Sequence, residues 1–328
     1  MAYTIGSTIV ATDYNGFVST NGGANLNNVW STGSSDSGYG EAAVSTVSAA
    51  ATITATQWSS LNSKISSVAS HTGTAITSRA NPTTGTTIAI LSALNTDLTN
   101  CTTNRGNAVA SGSQYTTISG TNYKAGTTGS GTAAWTLTFT NTITWASADA
   151  ARYFFNAGGR IKLQTNKSST GQLADAEWND LATTLMSDLF ITGGTGTQNI
   201  AASNYTGTTR SGGTGSPAIN ASTTGWYDLT TGDTNLFQQY ADTSPYTGMN
   251  ILVKAKTAGT GTQLVITTVW NDPGDPGAYG EGIISGGTAT SGATPGTAPC
   301  TIVTYYAPSS TYLTSAAWGT PSIAATVA

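Results

Sequence analysis

A strict alternation of apolar residues with threonines over residues 135–140 constrains the fold of this chain more than any other feature. The segment reads WTLTFT, with an apolar side chain at every second position. Successive side chains of a strand point to opposite faces of a sheet, so one face is apolar and the other carries hydroxyl groups. Ile143 and Trp145 continue the apolar set beyond a bend that we expect at Asn141. The pattern predicts a half-buried strand.

Further strands are predicted in the C-terminal part of the chain. The clearest pair covers residues 249–256 and 263–270, which Gly-Thr-Gly at 259–261 would join as a hairpin. Shorter strands are expected at 160–163, 224–229 and 301–307. Residues 107–134 are rich in Gly, Ser and Thr and are interpreted as a linker. Together these segments predict a mainly antiparallel β domain.

One or two helices are expected to pack on this β domain. Ser147 can cap a short helix over residues 148–156, because a serine side chain accepts from a free N–H in the first turn. A longer helix is predicted over residues 173–190. Its apolar face consists of Trp178, Leu181, Leu185 and Leu189.

Two apolar stripes with helical spacing precede the β domain. Their members recur at steps of three and four residues, which predicts a helical hairpin with a turn at Asn81-Pro82. Thr54 or Thr56 can cap the first helix, and Gly73 ends it. The first stripe consists of Trp58, Leu61, Ile65 and Val68, and the second of Ile88, Leu91, Leu94, Leu98 and Cys101.

Each stripe is narrow, so one hairpin alone buries little apolar area. We therefore expect copies of the chain to pack together here. The alternative is that the hairpin packs within its own chain. The residues expected to form the contact between copies are Trp58, Leu61, Ile65, Val68, Leu91, Leu94 and Leu98.

The predicted fold class is α+β, with an N-terminal helical hairpin followed by a mainly antiparallel β domain that carries one or two helices. Four segments are expected along the chain. They are an irregular docking arm anchored by single aromatic rings (1–40), the helical hairpin for oligomerisation or anchoring (41–110), an α+β domain (111–200) and a β-rich distal domain (201–328).

The composition excludes several functions. Charged residues make up 8% of the chain, against about 25% in ordinary soluble domains. A net charge of −4 without a basic patch argues against a nucleic-acid partner. Cys101 and Cys300 are too few for a disulfide framework or a zinc cluster, and both are expected to be buried. No apolar run is long enough to span a membrane, and no cofactor motif is found.

Catalysis is not expected either. His71 has no acidic neighbour and is interpreted as a surface or interface histidine. The carboxylates Asp175, Glu177, Asp180 and Asp188 fall on the predicted helix 173–190. A carboxylate pair for glycoside hydrolysis is conceivable there, but a solvated helix face is the favoured interpretation.

Two other sets of residues leave alternatives open. Asp272, Asp275 and Glu281 lie in a turn-rich segment that could bind calcium, although a tight connecting loop is the simpler interpretation. Aromatic residues are frequent in the distal part and are expected to serve core or interprotomer packing, with glycan stacking as the alternative. These residues are Trp226, Tyr227, Tyr240, Tyr246, Tyr279, Tyr305, Tyr306, Tyr312 and Trp318.

The sequence ITWASADAARYFFNAGGRIKL at residues 143–163 resembles a motif of structural proteins of tailed phages, notably myoviruses that infect cyanobacteria and other marine bacteria. The segments ATDYNGF, NLNNVWSTGSSDSGYGE, TATQWSSLNSKISSVASHTGT and NPTTGTTIAIL resemble the same kind of protein, so that the likeness spans most of residues 1–190. Within the motif, Tyr153, Phe154 and Phe155 are expected to pack the helix end onto the sheet. Gly158 and Gly159 are expected to adopt positive φ angles.

The resemblance implies a non-enzymatic virion structural protein, expected to be a tail or fibre component. Its partners would be copies of itself, expected as a homotrimer, and other virion proteins. The first basic residue is Lys64, so the opening residues do not match a secretion signal, and we expect assembly into the virion in the host cytoplasm. Two alternatives remain, a host receptor (glycan) binding module of the virion and a capsid decoration protein.

Overall fold

The computed structural model of the chain describes residues 9–20, 24–83, 85, 91–120, 125–126, 134–169, 173–194, 196–274, 282–283 and 298–328. A helical N-terminal segment comes first, and antiparallel sheets with a few helices follow. This arrangement confirms the predicted α+β class. The α-helices of the described residues are α1 (Ala11–Asn15), α2 (Leu26–Trp30), α3 (Ala55–Thr72), α4 (Leu91–Thr103), α5 (Ala148–Asn156) and α6 (Leu173–Asp180).

The strands of the described residues lie between and after the later helices. They are β1 (Ser111–Gly120), β2 (Ala125–Gly126), β3 (Trp135–Thr144), β4 (Arg160–Asn166), β5 (Asp188–Ile191), β6 (Thr197–Ile200), β7 (Ser203–Thr206), β8 (Thr208–Ser211), β9 (Ile219–Asn220), β10 (Thr234–Tyr240), β11 (Asn250–Ala258), β12 (Gln263–Asp272), β13 (Gly282–Ile283), β14 (Cys300–Pro308) and β15 (Ser322–Val327). The pair of β11 and β12, joined by the turn Gly259–Gly261, was predicted correctly.

Two large antiparallel sheets dominate the structure. The five-stranded sheet has the order β1-β14-β4-β5-β8, and the six-stranded sheet has the order β15-β3-β12-β11-β10-β9. Two ribbons, β13-β2 and β6-β7, complete the set. Residues 111–200 and residues 201–328 both contribute strands to each of the large sheets, so the predicted division at residue 200 is not a domain boundary.

Asn141 joins the two large sheets where a bend was predicted. β3 runs without interruption through this residue, which is fully buried. The Asn141 Nδ2 group donates to Thr301 Oγ1 of β14 at 3.0 Å, and Oδ1 accepts from Ser119 Oγ of β1 at 2.8 Å. These bonds satisfy an amide that would otherwise be costly to bury. The predicted bend was wrong, because tertiary partners allow a buried asparagine on a straight strand.

The helical hairpin begins as predicted. The Thr54 side chain caps α3 in a reciprocal capping box with Gln57, and Gly73 ends the helix at a φ of 71°. α4 contacts α3 and begins at Leu91. The predicted stripe member Ile88 lies outside the described residues.

Three predicted elements differ in the structure. The expected linker 107–134 contains the strand β1, which pairs with β14 along its whole length, and main-chain pairing needs no apolar pattern. The helix expected over 173–190 ends earlier, with a π-helical turn Leu181–Leu185, and β5 follows because Leu189 pairs with neighbouring strands. The strand expected at 224–229 is a 3-10 turn, Trp226–Asp228.

A single main hydrophobic core runs through the molecule, from Ala11 to Trp318. The N-terminal segment belongs to it, because Tyr14, Phe17 and Tyr39 are fully buried. The expectation of a separate docking arm was therefore wrong. Aromatic rings do anchor this segment as predicted, but they anchor it to its own chain.

We expect Leu61→Ala to lower the free energy of unfolding by about 2–5 kcal/mol, because Leu61 is fully buried and the substitution leaves a cavity. Since α3 shares its core with the sheets, helix and sheet signals should move together in urea denaturation monitored by circular dichroism and tryptophan fluorescence. Ser66→Ala, on an exposed position of the same helix, is the matched control and should change stability by less than about 0.5 kcal/mol. A sheet transition at an unchanged midpoint would show that the helical segment is an independent unit.

Candidate functional site

The aromatic cluster Trp145, Phe154, Phe155 and Trp226 lies where α5 meets the sheets. Ser147 caps α5, and Phe154 and Phe155 on its last turn are fully buried. Their ring centroids lie 5.2 and 5.5 Å from that of Trp145, and Phe155 stacks on Trp226 at 5.1 Å. Tyr153, at the rim, is 6% exposed. The three rings of the motif thus pack the helix end into the core, as the sequence pattern predicts.

The two glycines after α5 have different roles. Gly158 has a φ of 87°, in the region that favours glycine, as expected. Gly159 is not in that region, so the predicted positive φ is wrong for this residue. A Cβ at Gly159 would lie 2.5 Å from the Phe154 carbonyl oxygen, so glycine is required by close packing.

His71 is buried, and the interpretation as a surface or interface histidine was wrong. It is 2% exposed in the last turn of α3, and its Nε2 lies 3.1 Å from the carbonyl oxygen of Ala157, just beyond α5. Its ring meets the edge of Tyr39 at 5.4 Å. Burial lowers the pKa of His71 to about 4. The neutral imidazole therefore links α3 to the end of α5.

Asn156 is a buried polar residue that the sequence pattern did not single out. Its Nδ2 donates to the Gly38 carbonyl oxygen at 2.9 Å, and its Oδ1 accepts from the Tyr227 hydroxyl at 2.8 Å. These two bonds hold the N-terminal segment and the 3-10 turn at residue 226 against α5. An asparagine next to aromatic residues gave no sequence signal, because both partners are far away in the chain.

The residues expected to join copies of the chain are buried within one chain. Trp58, for example, packs against Tyr14 with a centroid distance of 5.4 Å. The expectation of an interprotomer stripe was therefore wrong for the described side chains, and packing within the chain is the correct alternative. Exposure is at most 3% for Trp58, Leu61, Ile65, Val68, Leu94 and Leu98, and the Leu91 side chain lies outside the described part.

The favoured interpretation of a solvated helix face is wrong for Glu177. It is 6% exposed, and its Oε1 accepts from the main-chain N–H groups of Asp242 and Thr243 at 3.2 and 3.3 Å. Carboxylate oxygens of Glu177, Asp180 and Asp242 come within 4.8 Å of one another. Asp188 is in β5 instead and lies 3.6 Å from Lys162. Glu177 thus fixes the 242–243 loop onto α6.

Of the three carboxylate residues of the expected calcium segment, Asp272 lies within the described residues. This residue is 2% exposed, and its Oδ1 accepts from the Gly274 N–H at 2.9 Å, which forms a tight turn at the end of β12. Asp275 and Glu281 lie outside the described residues.

The distal aromatic residues serve mainly as core. Trp226, Tyr246, Tyr305 and Trp318 are at most 6% exposed, and Tyr227 and Tyr306 are half-buried. Tyr240 and Tyr312 are exposed, and Tyr279 lies outside the described residues. The favoured interpretation as packing residues is correct for the buried members of this set.

A shallow groove of about 320 Å³ lies beside the N-terminus of α5. Its polar centre is Arg152, whose Nη1 donates to the Ser35 carbonyl oxygen at 2.9 Å and whose Nη2 donates to Asp149 Oδ1 at 2.8 Å. The groove also contacts Trp226, which is 6% exposed and offers little ring surface. Both terminal guanidinium nitrogens of Arg152 thus already donate hydrogen bonds within the protein.

In comparisons with known proteins, no family model, no curated protein and no solved structure matches the chain. Among the helices in the described ranges, none is both long and apolar enough to cross a bilayer. The function is therefore inferred from the sequence resemblance and from the geometry of the surfaces.

The buried His71 makes stability depend on pH. The unfolded chain binds a proton near pH 6.5, whereas the folded protein binds it only near pH 4, so stability falls as the pH drops through this window. The total loss is on the order of 3 kcal/mol. We expect His71→Gln, measured by urea denaturation at pH 7 and pH 5, to lose about 2 kcal/mol less than the wild type between these values. Equal losses in both proteins would contradict a buried neutral histidine.

Proposed function

We propose that the protein is a non-enzymatic structural component of a phage virion, a tail or fibre protein that assembles with copies of itself. The resemblance of residues 143–163 to structural proteins of tailed phages supports the virion assignment. The observation that carries the self-assembly is the outer face of the six-stranded sheet, which the described part of the chain leaves uncovered.

The outer face of this sheet is rich in hydroxyl groups. Thr140 lies midway along β3, the second strand of the sheet, and pairs with Thr267 of β12 on one side and with Thr326 of β15 on the other. The residues that alternate with these threonines on β3 are buried from Leu137 to Ile143, so the threonines face the other side of the sheet, which is the outer side. The threonines of this row on β3 are Thr136, Thr138, Thr140, Thr142 and Thr144.

Few charges interrupt the outer face. Among the outward positions of β15, β3, β12, β11 and β10, the charged side chains are Lys254 and Lys256. Lys256 pairs with Asp233 at 3.0 Å. Covering a neutral hydroxyl costs far less free energy than covering a charge, because hydroxyls can form new hydrogen bonds across an interface. Such a face suits contact with another polar, weakly charged surface, and a second copy of this chain has one.

The outer face is large enough for a stable contact. Strands β3, β12 and β11 have nine or ten residues, β10 has seven and β15 has six, which gives a mean length of about 28 Å, and five strands at a spacing of about 4.8 Å are about 24 Å wide. The product, about 700 Å², is close to the roughly 800 Å² per partner that a standard interface covers. A second copy is therefore the occupant that we propose.

We expect Thr140→Lys to reduce or abolish the oligomer, because it places a charge in the middle of the threonine row that we propose as part of the contact. Native mass spectrometry and light scattering would measure the mass of the wild type and the variant, with circular dichroism to verify folding. Thr116→Lys, on an exposed position of the five-stranded sheet, is the matched control and should keep the wild-type mass. A wild-type protein that is monomeric at micromolar concentration would overturn the self-assembly proposal.

The place in the particle is tested by immunogold electron microscopy of purified virions of the phage that encodes the chain. Label on the tail or its fibres is the expected result. Label on the head would instead support the capsid decoration alternative. Absence of label from intact and from disrupted particles would reject the virion assignment.

A further inference from the structure

Arg160 is a buried cation without a carboxylate partner among the described residues. It begins β4 and is 6% exposed. Its Nη2 donates to Ser111 Oγ at 3.3 Å, and its guanidinium carbon lies 4.4 Å from the ring centroid of Tyr306 and 5.3 Å from that of Tyr205. Its polar and ring contacts are thus one hydroxyl group and two aromatic rings.

The other deeply buried lysine and arginine side chains of the described residues are paired with carboxylates. The side chains of Arg79 and Lys167 are 6% and 3% exposed, and they face Asp97 and Asp175 respectively. Burying a charge without an opposite charge carries a large desolvation cost, which cation–π contacts of about 1–2 kcal/mol offset only in part. Arg160 therefore lacks the carboxylate partner that Arg79 and Lys167 have, and a bound anion would supply the missing negative charge.

The guanidinium of Arg160 retains unused donors. Its Nε is buried without a hydrogen-bond partner. Its Nη1 has no hydrogen-bond partner among the described residues and is not completely buried. Guanidinium donors lie in the plane of the group, whereas the tyrosine rings contact its faces. An oxyanion can therefore approach Nη1 in the plane without displacing either ring.

The rings around Arg160 are held in place by a small second core. Phe190 of β5 and Tyr205 of β7 pack together with Ala108 and Ile200, each at most 9% exposed. The ring of Tyr306 lies 6.3 Å from that of Phe190. This core fixes the β6-β7 hairpin over the outer face of the five-stranded sheet, so the surroundings of the guanidinium are preorganised.

The surface next to Arg160 is neutral and polar. Gln114 pairs with Tyr306 across β1 and β14, and Thr116 pairs with Thr304, with 3.3 Å between their hydroxyl oxygens. The next outward residue of β4 is Lys162, which already lies 3.6 Å from Asp188. The site thus combines one open cation with hydroxyl and amide groups.

We propose that Arg160 binds the acidic group of a saccharide, a carboxylate or sulfate carried by a sugar unit whose hydroxyls contact the neighbouring amide and hydroxyl side chains. A polyanion such as nucleic acid needs several cations, and the net charge of −4 opposes it. A sugar that carries one acidic group matches one open guanidinium on a neutral polar surface. This inference is independent of the proposed self-assembly.

Isothermal titration with oligogalacturonate, and with the same oligosaccharide fully methyl-esterified, tests the proposal. We expect the acid form to bind the wild type and the neutral ester to bind at least about tenfold more weakly, because esterification removes the negative charge. A sulfated oligosaccharide is the second arm, and tighter binding of this probe would assign sulfate as the preferred anion. Equal affinity for acid and ester, or no binding of either acidic probe at low salt, would overturn the proposal.

Variants separate ligand binding from a structural role. Arg160→Gln should abolish binding, and Lys162→Gln is the matched control that should retain it within about threefold. Gln114→Glu adds a competing negative charge on an exposed residue and should weaken binding without affecting the core. Melting temperatures of all variants verify folding. If folded Arg160→Gln, or Gln114→Glu, binds the acid form as well as the wild type does, Arg160 serves only to hold the tyrosine rings.

Discussion

The packing of the aromatic cluster at the end of α5 is the interaction on which the rest of the structure depends. Trp145 follows β3 of the six-stranded sheet, Phe154 and Phe155 lie just before β4 of the five-stranded sheet, and Trp226 comes from the turn before β10. Each aromatic pair contributes about 0.5–1.5 kcal/mol beyond the apolar area that it buries. One set of ring contacts therefore connects both sheets, so that residues far apart in sequence share one core.

Neutral polar groups make the remaining connections between the layers. Asn141 bridges the sheets, Asn156 holds the N-terminal segment and the turn at residue 226, and His71 links α3 to α5. Each group makes hydrogen bonds inside the protein without bringing a charge into the core, which keeps the desolvation cost low. This use of amides and imidazole agrees with a chain in which only 8% of the residues are charged.

Local patterns predicted those elements whose stability depends on their own residues. The threonine cap and the glycine end of α3, the serine cap of α5 and the pair β11-β12 are encoded over a few adjacent positions. The strand β1 could not be predicted in this way, because its polar sequence becomes a strand only when β14 supplies hydrogen-bond partners. The candidate anion site escaped prediction for a related reason, since Arg160, Tyr205 and Tyr306 lie on three strands.

The sequence by itself determined the α+β class, the helical hairpin, the alternating strand β3 and the burial of the FFNAGG rings, because periodicity and capping act over short stretches of chain. Only the tertiary structure decided what each apolar face covers. The described members of the α3 and α4 stripes are buried in the core, and the described part of the chain leaves the threonine face of β3 uncovered, since burial depends on which surfaces the fold brings together. For the same reason, no local sequence pattern predicts that His71 and Arg160 are buried.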